Sequence, residues 1–411
     1  MSEGGAPRRP DPAPSVVDYV AERLGPRLLV IEPSGRFLYV ANWTSGDISA
    51  FRIDTATGGV APSPGSPFPS GPSPRAVTAH PSGRFLYGAN WAGGSISAFR
   101  ILEDGGLAVV PGSFAAGTNP RNIRFDSDGR FGYVANRGSD TISSYRVDPD
   151  SGALVSTVAS HVDTGPRPRS AMIDPRGRFV FTAHEGTSLV SSYRLDPATG
   201  DLGPAPGSPY ETGADPRFVT VDPRGRFAFV PNQRSNNVSV YRIDEETGAL
   251  APAPGSPFRA RRHPFQVLVD PTARFAFVAN QKSRSISGYA IDPDSGRLTP
   301  VPGSAFRTGR TPIWPTVDAS GRFLYVANRE SGDVSGFAID PDTGSLRALS
   351  GSPYPAGDGP RAITIDPSGR FAYLANNDSG TICAYAIDPS SGALRPAPGS
   401  PFPGGWILRH R

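Results

Sequence analysis

Glu185 is the one acid in a region of this chain where arginines recur at fixed spacing. It directly follows the apolar segment 179–184, and Arg169 follows Pro168 sixteen residues earlier. A carboxylate can take a proton from water, and a fixed guanidinium can stabilise the oxyanion that forms when water attacks a carbonyl. We therefore predict Glu185 and Arg169 as catalytic residues. The alternative is a salt bridge that only stabilises the fold.

Both residues belong to a module that occurs eight times. Its core is D-P-x-G-R-F-x-[YF]-V-A-N, with seven copies of GRF and one copy in which Ala273 replaces the glycine. Successive modules start 48 residues apart, except for one step of 46 residues. Such a period indicates one supersecondary unit stacked on copies of itself.

Each module reads as four short antiparallel strands, called A to D. In the fifth module the segments are 218–221, 226–232, 238–243 and 249–258, separated by turns that contain Gly, Pro, Asp or Asn. Four strands in 40–50 residues are typical of a β-propeller blade. We predict an all-β, eight-bladed propeller with four-stranded antiparallel blades. A seven-bladed ring is the alternative.

The domain boundaries follow from this period. Residues 1–14, rich in Gly, Pro and Arg, are predicted to be a disordered tail. Residues 15–25 are predicted to be either a strand that closes the ring or a short helix, and residues 26–411 a single propeller domain. No apolar run reaches transmembrane length and no signal peptide is evident, so we expect a cytoplasmic protein without membrane contact.

Strand A starts, and strand B ends, at the same face of such a ring, called here the mouth face. Two sets of side chains should surround the opening of the central channel there. The first set follows the module-starting prolines: Arg27, Arg75, Arg121, Arg169, Arg217, Phe265, Ile313 and Arg361. The second set follows strand B: Trp43, Trp91, Arg137, Glu185, Gln233, Gln281, Arg329 and Asn377.

The second set is chemically diverse although the modules around it are nearly identical, so it suggests a binding surface. Guanidinium groups hold carboxylates and phosphates through paired hydrogen bonds. We predict that a small anionic molecule is bound at the mouth face by Arg121, Arg217, Arg75, Arg361, Arg137 and Gln233. The alternative is that these arginines bond backbone carbonyls and stabilise blade packing.

Other functional classes have weaker support. The five histidines show no metal-ligand spacing, and no cofactor motif is present, so neither a metal nor a cofactor is expected. Most arginines occupy repeat positions and the aromatic residues lie in strands, so nucleic-acid binding is not expected. Trp43 and Trp91 could instead form an exposed apolar patch for a protein partner of a non-catalytic propeller.

The repeated words P-R-x-x-x-x-D-P-x-G-R-F-x-Y-V-A-N and I-S-x-Y-R-I-D-P-x-T-G-x-L resemble the lactonase-type β-propellers. That family includes propeller 6-phosphogluconolactonases and carboxymuconate-cyclising enzymes, and it borders on the YVTN-repeat propellers. The resemblance covers about residues 26–403. It implies the propeller fold and hydrolysis of a small carboxylated or phosphorylated lactone without a metal.

The resemblance also implies roles for individual residues. The family's active blade carries P-R-H on strand A and N-E after strand B, and Arg169 and Glu185 match the Arg and Glu of these motifs. Ser170 replaces the histidine of P-R-H, and Asn122 stands where the preceding blade of the family carries another histidine. Gln233 replaces an arginine common in the following blade.

Overall fold

Eight antiparallel sheets follow one another along the chain and pack as the blades of a ring. The computed structural model describes residues 26–112 and 114–404. Each sheet is formed by one sequence module, so the predicted eight-bladed propeller is confirmed and the seven-bladed alternative is wrong. The predicted tail at 1–14, the element at 15–25 and the last residues of the predicted domain lie outside the described residues.

The inner strands A contain the residues that start each module. Their bounds are Pro26–Ile31, Pro74–Ala79, Pro120–Phe125, Met172–Ile173, Thr220–Val221, Pro264–Val269, Pro312–Val317 and Pro360–Ile365. Threonine hydroxyls join neighbouring inner strands, as in the bond from Thr78 Oγ1 to the Ile123 carbonyl, 2.9 Å. These contacts place the A strands side by side around the axis.

Strand B is apolar and buried along its length, as its composition predicts. Its copies are Phe37–Asn42, Phe85–Asn90, Phe131–Asn136, Phe179–Ala183, Phe227–Asn232, Phe275–Asn280, Phe323–Asn328 and Phe371–Asn376. Strand C pairs with it throughout. The C strands are Asp47–Ile53, Ser95–Ile101, Thr141–Val147, Leu189–Leu195, Asn237–Ile243, Ser285–Ile291, Asp333–Ile339 and Thr381–Ile387.

The outer strand D differs from the continuous strand that its sequence predicts. Seven blades carry two short segments in its place: Val60–Pro62 and Phe68–Pro69, Leu107–Val109 and Phe114–Ala115, Leu202–Pro204 and Tyr210–Glu211, Leu250–Pro252 and Phe258–Arg259, Leu298–Pro300 and Phe306–Arg307, Leu346–Ala348 and Tyr354–Pro355, Leu394–Pro396 and Phe402–Pro403. Blade three has one unbroken strand, Leu154–Asp163. A single 3₁₀ turn, Gln281–Ser283, is found in the described part of the chain.

Proline explains the break, because it cannot donate a hydrogen bond to the sheet. In blade five the interruption contains Pro254 and Pro257, and the Ser256 hydroxyl accepts the hydrogen bond of the Val240 amide at 2.9 Å. A serine side chain thus takes the place of a backbone carbonyl. The same substitution recurs at Ser66 in blade one, which accepts from the Ala50 amide at 2.9 Å.

A hydrogen bond from strand B recurs at five of the eight interfaces between blades. A strand B tyrosine donates there to a glycine carbonyl in the C–D hairpin of the next blade, as from Tyr325 to Gly392 at 2.7 Å, whereas blades four to six carry phenylalanine at this position. The last blade makes the same bond to the first, from Tyr373 to Gly58 at 3.1 Å. Gly58 has a φ of +76°, and a Cβ there would collide with the ring of Phe371. The ring therefore closes through an ordinary interface between blades.

The repeated arginines of the GRF words have a structural role at these interfaces. Arg322 stacks on Phe323, with 4.9 Å between its guanidinium carbon and the ring centre, and donates to the Pro389 carbonyl at 2.8 Å. Such bonds hold the hairpin of the next blade. The positive charge of the chain thus reflects, in part, its architecture.

The ladder between strands A and B is interrupted in blades four and five. There Pro168 and Pro216 make isolated bridges to His184 and Asn232, and regular pairing resumes only at Met172 and Thr220. The interruption contains the first-set arginines of these two blades. Within residues 26–112 and 114–404, no helix has the length and apolar character needed to cross a bilayer.

Candidate functional site

Four guanidinium groups meet one carboxylate where blades three, four and five adjoin. Glu185 Oε1 lies 2.6 Å from Arg217 Nη1 and 3.1 Å from Arg169 Nη1. Its Oε2 lies 2.8 Å from Arg137 Nε and 3.7 Å from Arg121 Nη2. The structure therefore brings together the predicted catalytic pair and three of the predicted substrate-binding arginines.

Backbone contacts fix the two arginines of the interrupted strands. The Arg169 amide donates to the Ala183 carbonyl at 3.0 Å, and the Arg217 amide donates to the Pro231 carbonyl at 3.1 Å. Both acceptors lie near the end of strand B, at the mouth face. The chain is thus anchored beside each arginine although the regular ladder is absent there.

The Glu185 carboxylate is ionised in this environment. Burial, the largest single influence, would raise its pKa, but the combined attraction of the four guanidiniums outweighs burial, with Arg169 the strongest contributor. The pKa of Glu185 therefore lies well below its usual value of 4.5. Its side chain is only 18% exposed, so solvent screens these contacts weakly.

Arg169 is a buried cation held between two aromatic rings. It is 8% exposed, and its guanidinium carbon lies 5.0 Å from the ring centre of Phe218 and 5.9 Å from that of Phe265. Burial lowers its pKa to about 10, although Glu185 opposes this shift. Arg169 thus remains charged at neutral pH. Among the described residues, its buried Nε has no hydrogen-bond acceptor.

Gln233 continues the network toward blade six. Its Oε1 accepts from Arg217 Nε at 2.7 Å, and its Nε2 donates to Gln281 Oε1 at 3.0 Å. The Gln233 side chain is buried, with 6% exposed. The amide therefore orients Arg217 toward Glu185.

Sequence reasoning missed Asp215 as a member of this cluster. Its Oδ1 accepts from the Gly186 amide at 3.0 Å, and its Oδ2 lies 3.5 Å from Arg217 Nη2. It precedes a module-starting proline and has a φ of +58°. The same comparison between modules could have found it, because the other modules have no acid at this position.

Arg75 contacts Trp91, next to two arginines of the carboxylate cluster. Three guanidinium carbons lie near the Trp91 ring centre, those of Arg75, Arg121 and Arg137 at 5.0, 5.6 and 6.0 Å. The contacts that Glu185 makes with described residues include neither Arg75 nor Arg361, which begins strand A of blade eight. The two residues stay predicted ligand contacts.

The two tryptophans pack against each other, with ring centres 6.1 Å apart. Trp91 is 9% exposed, so the expectation that both rings form an exposed patch is wrong for Trp91. The arginines stacked around the ring account for its burial. Trp43 is half-buried, and a partner at this position stays a prediction.

His184 points away from the cluster, as alternation along the strand predicts. It is fully buried, and its Nε2 lies 2.7 Å from the Ser191 hydroxyl. Other modules carry asparagine here, and Asn232 likewise bonds Ser239. His184 is thus a structural replacement. No group of three His, Cys, Asp or Glu side chains in the described ranges could hold a metal ion.

The sequence of this chain matches one known protein family over most of its length. The model of the lactonase family, described as a seven-bladed β-propeller, matches residues 15–110, 107–210, 207–260 and 316–404. This chain belongs to that lactonase family. Its members are described as having seven blades, whereas this propeller has eight. No curated protein sequence is significantly similar to it.

Solved structures show the same fold. A candidate 6-phosphogluconolactonase from Bacteroides fragilis has a TM-score of 0.62 and 21% identity, with 79% of this chain and 96% of that chain covered. A second one, from Bacteroides uniformis, has a TM-score of 0.61 and 20% identity, with 82% of this chain and 98% of that chain covered. The periplasmic gluconolactonase of Pseudomonas aeruginosa has a TM-score of 0.60 and 24% identity and covers 77% and 97%.

Proposed function

We propose that this lactonase-family propeller hydrolyses a small carboxylated or phosphorylated lactone at the mouth face, where the channel opens. The observation that carries the proposal is the charge of the cluster. Four guanidiniums gather around Glu185, and Asp215 is the second carboxylate in contact with them. Positive charge therefore exceeds negative charge, and an anionic substrate would balance it.

The first step is attack of water on the lactone carbonyl. Glu185 accepts a proton from the water, and the carbonyl oxygen becomes an oxyanion. Arg169 would stabilise that charge; two observations support this role, its cationic state and a buried Nε without an acceptor among the described residues. Cleavage of the ring C–O bond, with transfer of the proton from Glu185 to the leaving oxygen, gives the hydroxy acid and restores the Glu185 carboxylate.

The low pKa of Glu185 makes it a weak base in the absence of ligand. Arg121 and Arg217, one blade away on either side of Arg169, would turn toward the substrate's carboxylate or phosphate when it binds. Guanidinium groups that bond a substrate anion attract Glu185 less strongly, so the pKa of Glu185 rises when substrate binds. The substrate thus helps to activate its own base.

A binding propeller without catalysis is the second candidate. Glu185 is already engaged by all four guanidiniums, which favours a structural carboxylate. Ser170 and Asn122 also stand where the family carries histidines. In this case the arginines would hold an anionic ligand without converting it.

The two candidates are separated by a lactone screen with the purified protein. The screen pairs each anionic lactone, including 6-phosphogluconolactone, with a neutral lactone of the same ring size. We expect turnover of an anionic substrate and a marked preference over its neutral counterpart. Binding of the hydroxy-acid product without turnover of any lactone would support the binding propeller and contradict the proposed hydrolysis.

A further inference from the structure

A second concentration of arginine lies away from the Glu185 cluster, in the segment 259–263 that connects blade five to blade six. Arg259, Arg261 and Arg262 are all exposed there. The corresponding connection in blade one is Pro69-Ser-Gly-Pro-Ser73, and that in blade four is Glu211-Thr-Gly-Ala-Asp215. The connection after blade six, Arg307-Thr-Gly-Arg-Thr311, repeats Arg259 and Arg262 but has glycine in place of Arg261, so only the segment 259–263 carries all three arginines.

The three arginines line a groove between blades five and six with a volume of about 610 Å³. The other lining residues include Ser283, Ser287 and the strand C residue Tyr289, which bear hydroxyl groups, and the apolar Pro300 and Ala305. Small-molecule sites usually have volumes of roughly 300–1,000 Å³. The groove thus has the size of a ligand site and not of a broad protein interface.

Hydrogen bonds hold the backbone of the arginine segment in place. The Tyr289 hydroxyl donates to the Arg259 carbonyl at 2.6 Å, and the Ser283 hydroxyl accepts from the Arg262 amide at 2.8 Å. The backbone carbonyl of Asn236 accepts from the Ala260 amide at 2.9 Å, and its side-chain oxygen accepts from the His263 amide at 2.9 Å. The arginine-bearing backbone is therefore preorganised, which lowers the entropy lost on binding.

The surroundings reinforce the positive charge. Further exposed cations on blades five to seven are Arg234, Lys282, Arg284, Arg307 and Arg310. Within the described ranges, none of the three groove arginines forms an ion pair with a carboxylate. Burial lowers the pKa of His263, and the positive charges of Lys282, Arg217 and Arg262 lower it further.

The chain contains an internal comparison for this groove. A related groove of about 440 Å³ lies between blades eight and one. Ser49 and Phe51 there take the repeat positions of Ser287 and Tyr289. The facing wall is formed by Phe402 and Pro403 instead of arginines. The propeller architecture thus creates such grooves, and the groove between blades five and six differs from the one between blades eight and one by its three arginines.

We propose that the groove lined by Arg259, Arg261 and Arg262 binds a small molecule that carries at least two phosphate groups. Arginine presents a planar fork that bonds phosphate oxygens in pairs, and the neighbouring hydroxyls can donate further hydrogen bonds. Several anionic groups are needed to balance three cations that lack a carboxylate partner among the described residues. This site is separate from the proposed lactonase site, so either proposal can fail alone.

The test is calorimetric titration with inorganic tripolyphosphate, with orthophosphate titrated in parallel. We expect tripolyphosphate to bind more tightly than orthophosphate. The double variant Arg261→Ala/Arg262→Ala should weaken tripolyphosphate binding by at least about tenfold, because paired charge-assisted bonds are lost. Arg261→Lys/Arg262→Lys keeps the charge but loses the guanidinium fork, so its affinity for tripolyphosphate should lie between that of the native protein and that of the double alanine variant.

The control is Arg146→Ala/Arg194→Ala, which removes the same charge from exposed C-strand positions of blades three and four. It should change tripolyphosphate affinity less than about twofold, since its effect is limited to the screened long-range field. Equal losses in both double variants, or no loss in the groove variant, would overturn the proposal. Binding of an RNA oligonucleotide or an acidic peptide without tripolyphosphate binding would overturn it too.

Discussion

Replacement of Glu185 by Gln should destabilise the protein and make its stability depend on an added anion. The substitution preserves size but leaves four guanidiniums, at 2.6 to 3.7 Å from the carboxylate in the native protein, without their common counter-ion. Removal of one partner of a buried ion pair costs about 3–5 kcal/mol. Because Glu185 remains 18% exposed, we expect the lower end, about 3 kcal/mol.

Urea unfolding at neutral pH measures this loss as a change in midpoint at constant slope. Sulfate should then stabilise the Gln variant more than the native protein, because it can supply the negative charge that the four guanidiniums have lost. A bound anion at one hundred times its Kd contributes about 2.7 kcal/mol. Sulfate also stabilises proteins generally by exclusion from their surface, so the difference between the two proteins is the informative quantity.

Glu330→Gln is the matched control, since Glu330 is an exposed acid in the loop between strands B and C of blade seven, and Glu185 lies in the corresponding loop of blade four. Its effect should stay within about 0.5 kcal/mol, as is usual for surface substitutions. A Glu185→Gln variant as stable as the control, with the same response to sulfate, would refute the reasoning. The carboxylate would then contribute nothing to the balance of charge in the cluster.

Three further outcomes follow from the structure. Arg169→Lys should lower kcat/KM by at least about tenfold in the lactone assay, since lysine lacks the guanidinium fork, and an unchanged value would exclude Arg169 from the reaction. The pKa of Glu185 is depressed in the folded state, so the ionised carboxylate stabilises the fold fully above pH 4.5, and this contribution is lost as the pH falls further. The difference in unfolding free energy between native and Glu185→Gln protein should therefore narrow in acid. A constant difference would contradict an ionised carboxylate. Tyr373→Phe should lower the free energy of unfolding, measured in urea, by about 1 kcal/mol, as Tyr325→Phe should, because the interface that closes the ring carries the same hydrogen bond as an internal interface. A much smaller loss for Tyr373→Phe would mean that the ring closes more loosely.

The fold was predictable because every module repeats the same physical signals. Turn residues, buried apolar strands and a constant period specify strands B and C to within one residue, as in 227–232 for strand B of blade five. Strand A of that blade is shorter than predicted, with 220–221 in place of 218–221. Strand D was less predictable. Its sequence shows β-formers and prolines, but only the structure reveals that Ser256 accepts the amide bond that the proline-rich segment leaves open.

The candidate site was predictable where modules differ at one aligned position. Glu185 and Arg137 emerged in this way, whereas Arg121, Arg169 and Arg217 emerged because arginine recurs after the module-starting prolines. Asp215 would have emerged from the position before those prolines, where it is the one acid. Contacts across blades were not predictable, because they depend on side-chain direction. Trp91 was expected to be exposed, yet the guanidinium groups of Arg75 and Arg121 stack around its ring.

The most direct test of the proposed hydrolysis is the initial rate for an anionic lactone, 6-phosphogluconolactone first, with native and Glu185→Gln protein side by side. After subtraction of the spontaneous rate, the native protein should turn over the lactone, and the variant should be slower by roughly 10²–10⁴-fold, the usual contribution of a general base. Product binding should survive in the variant. Equal rates in the two proteins would contradict the proposed role of Glu185 and leave the propeller as a binding protein.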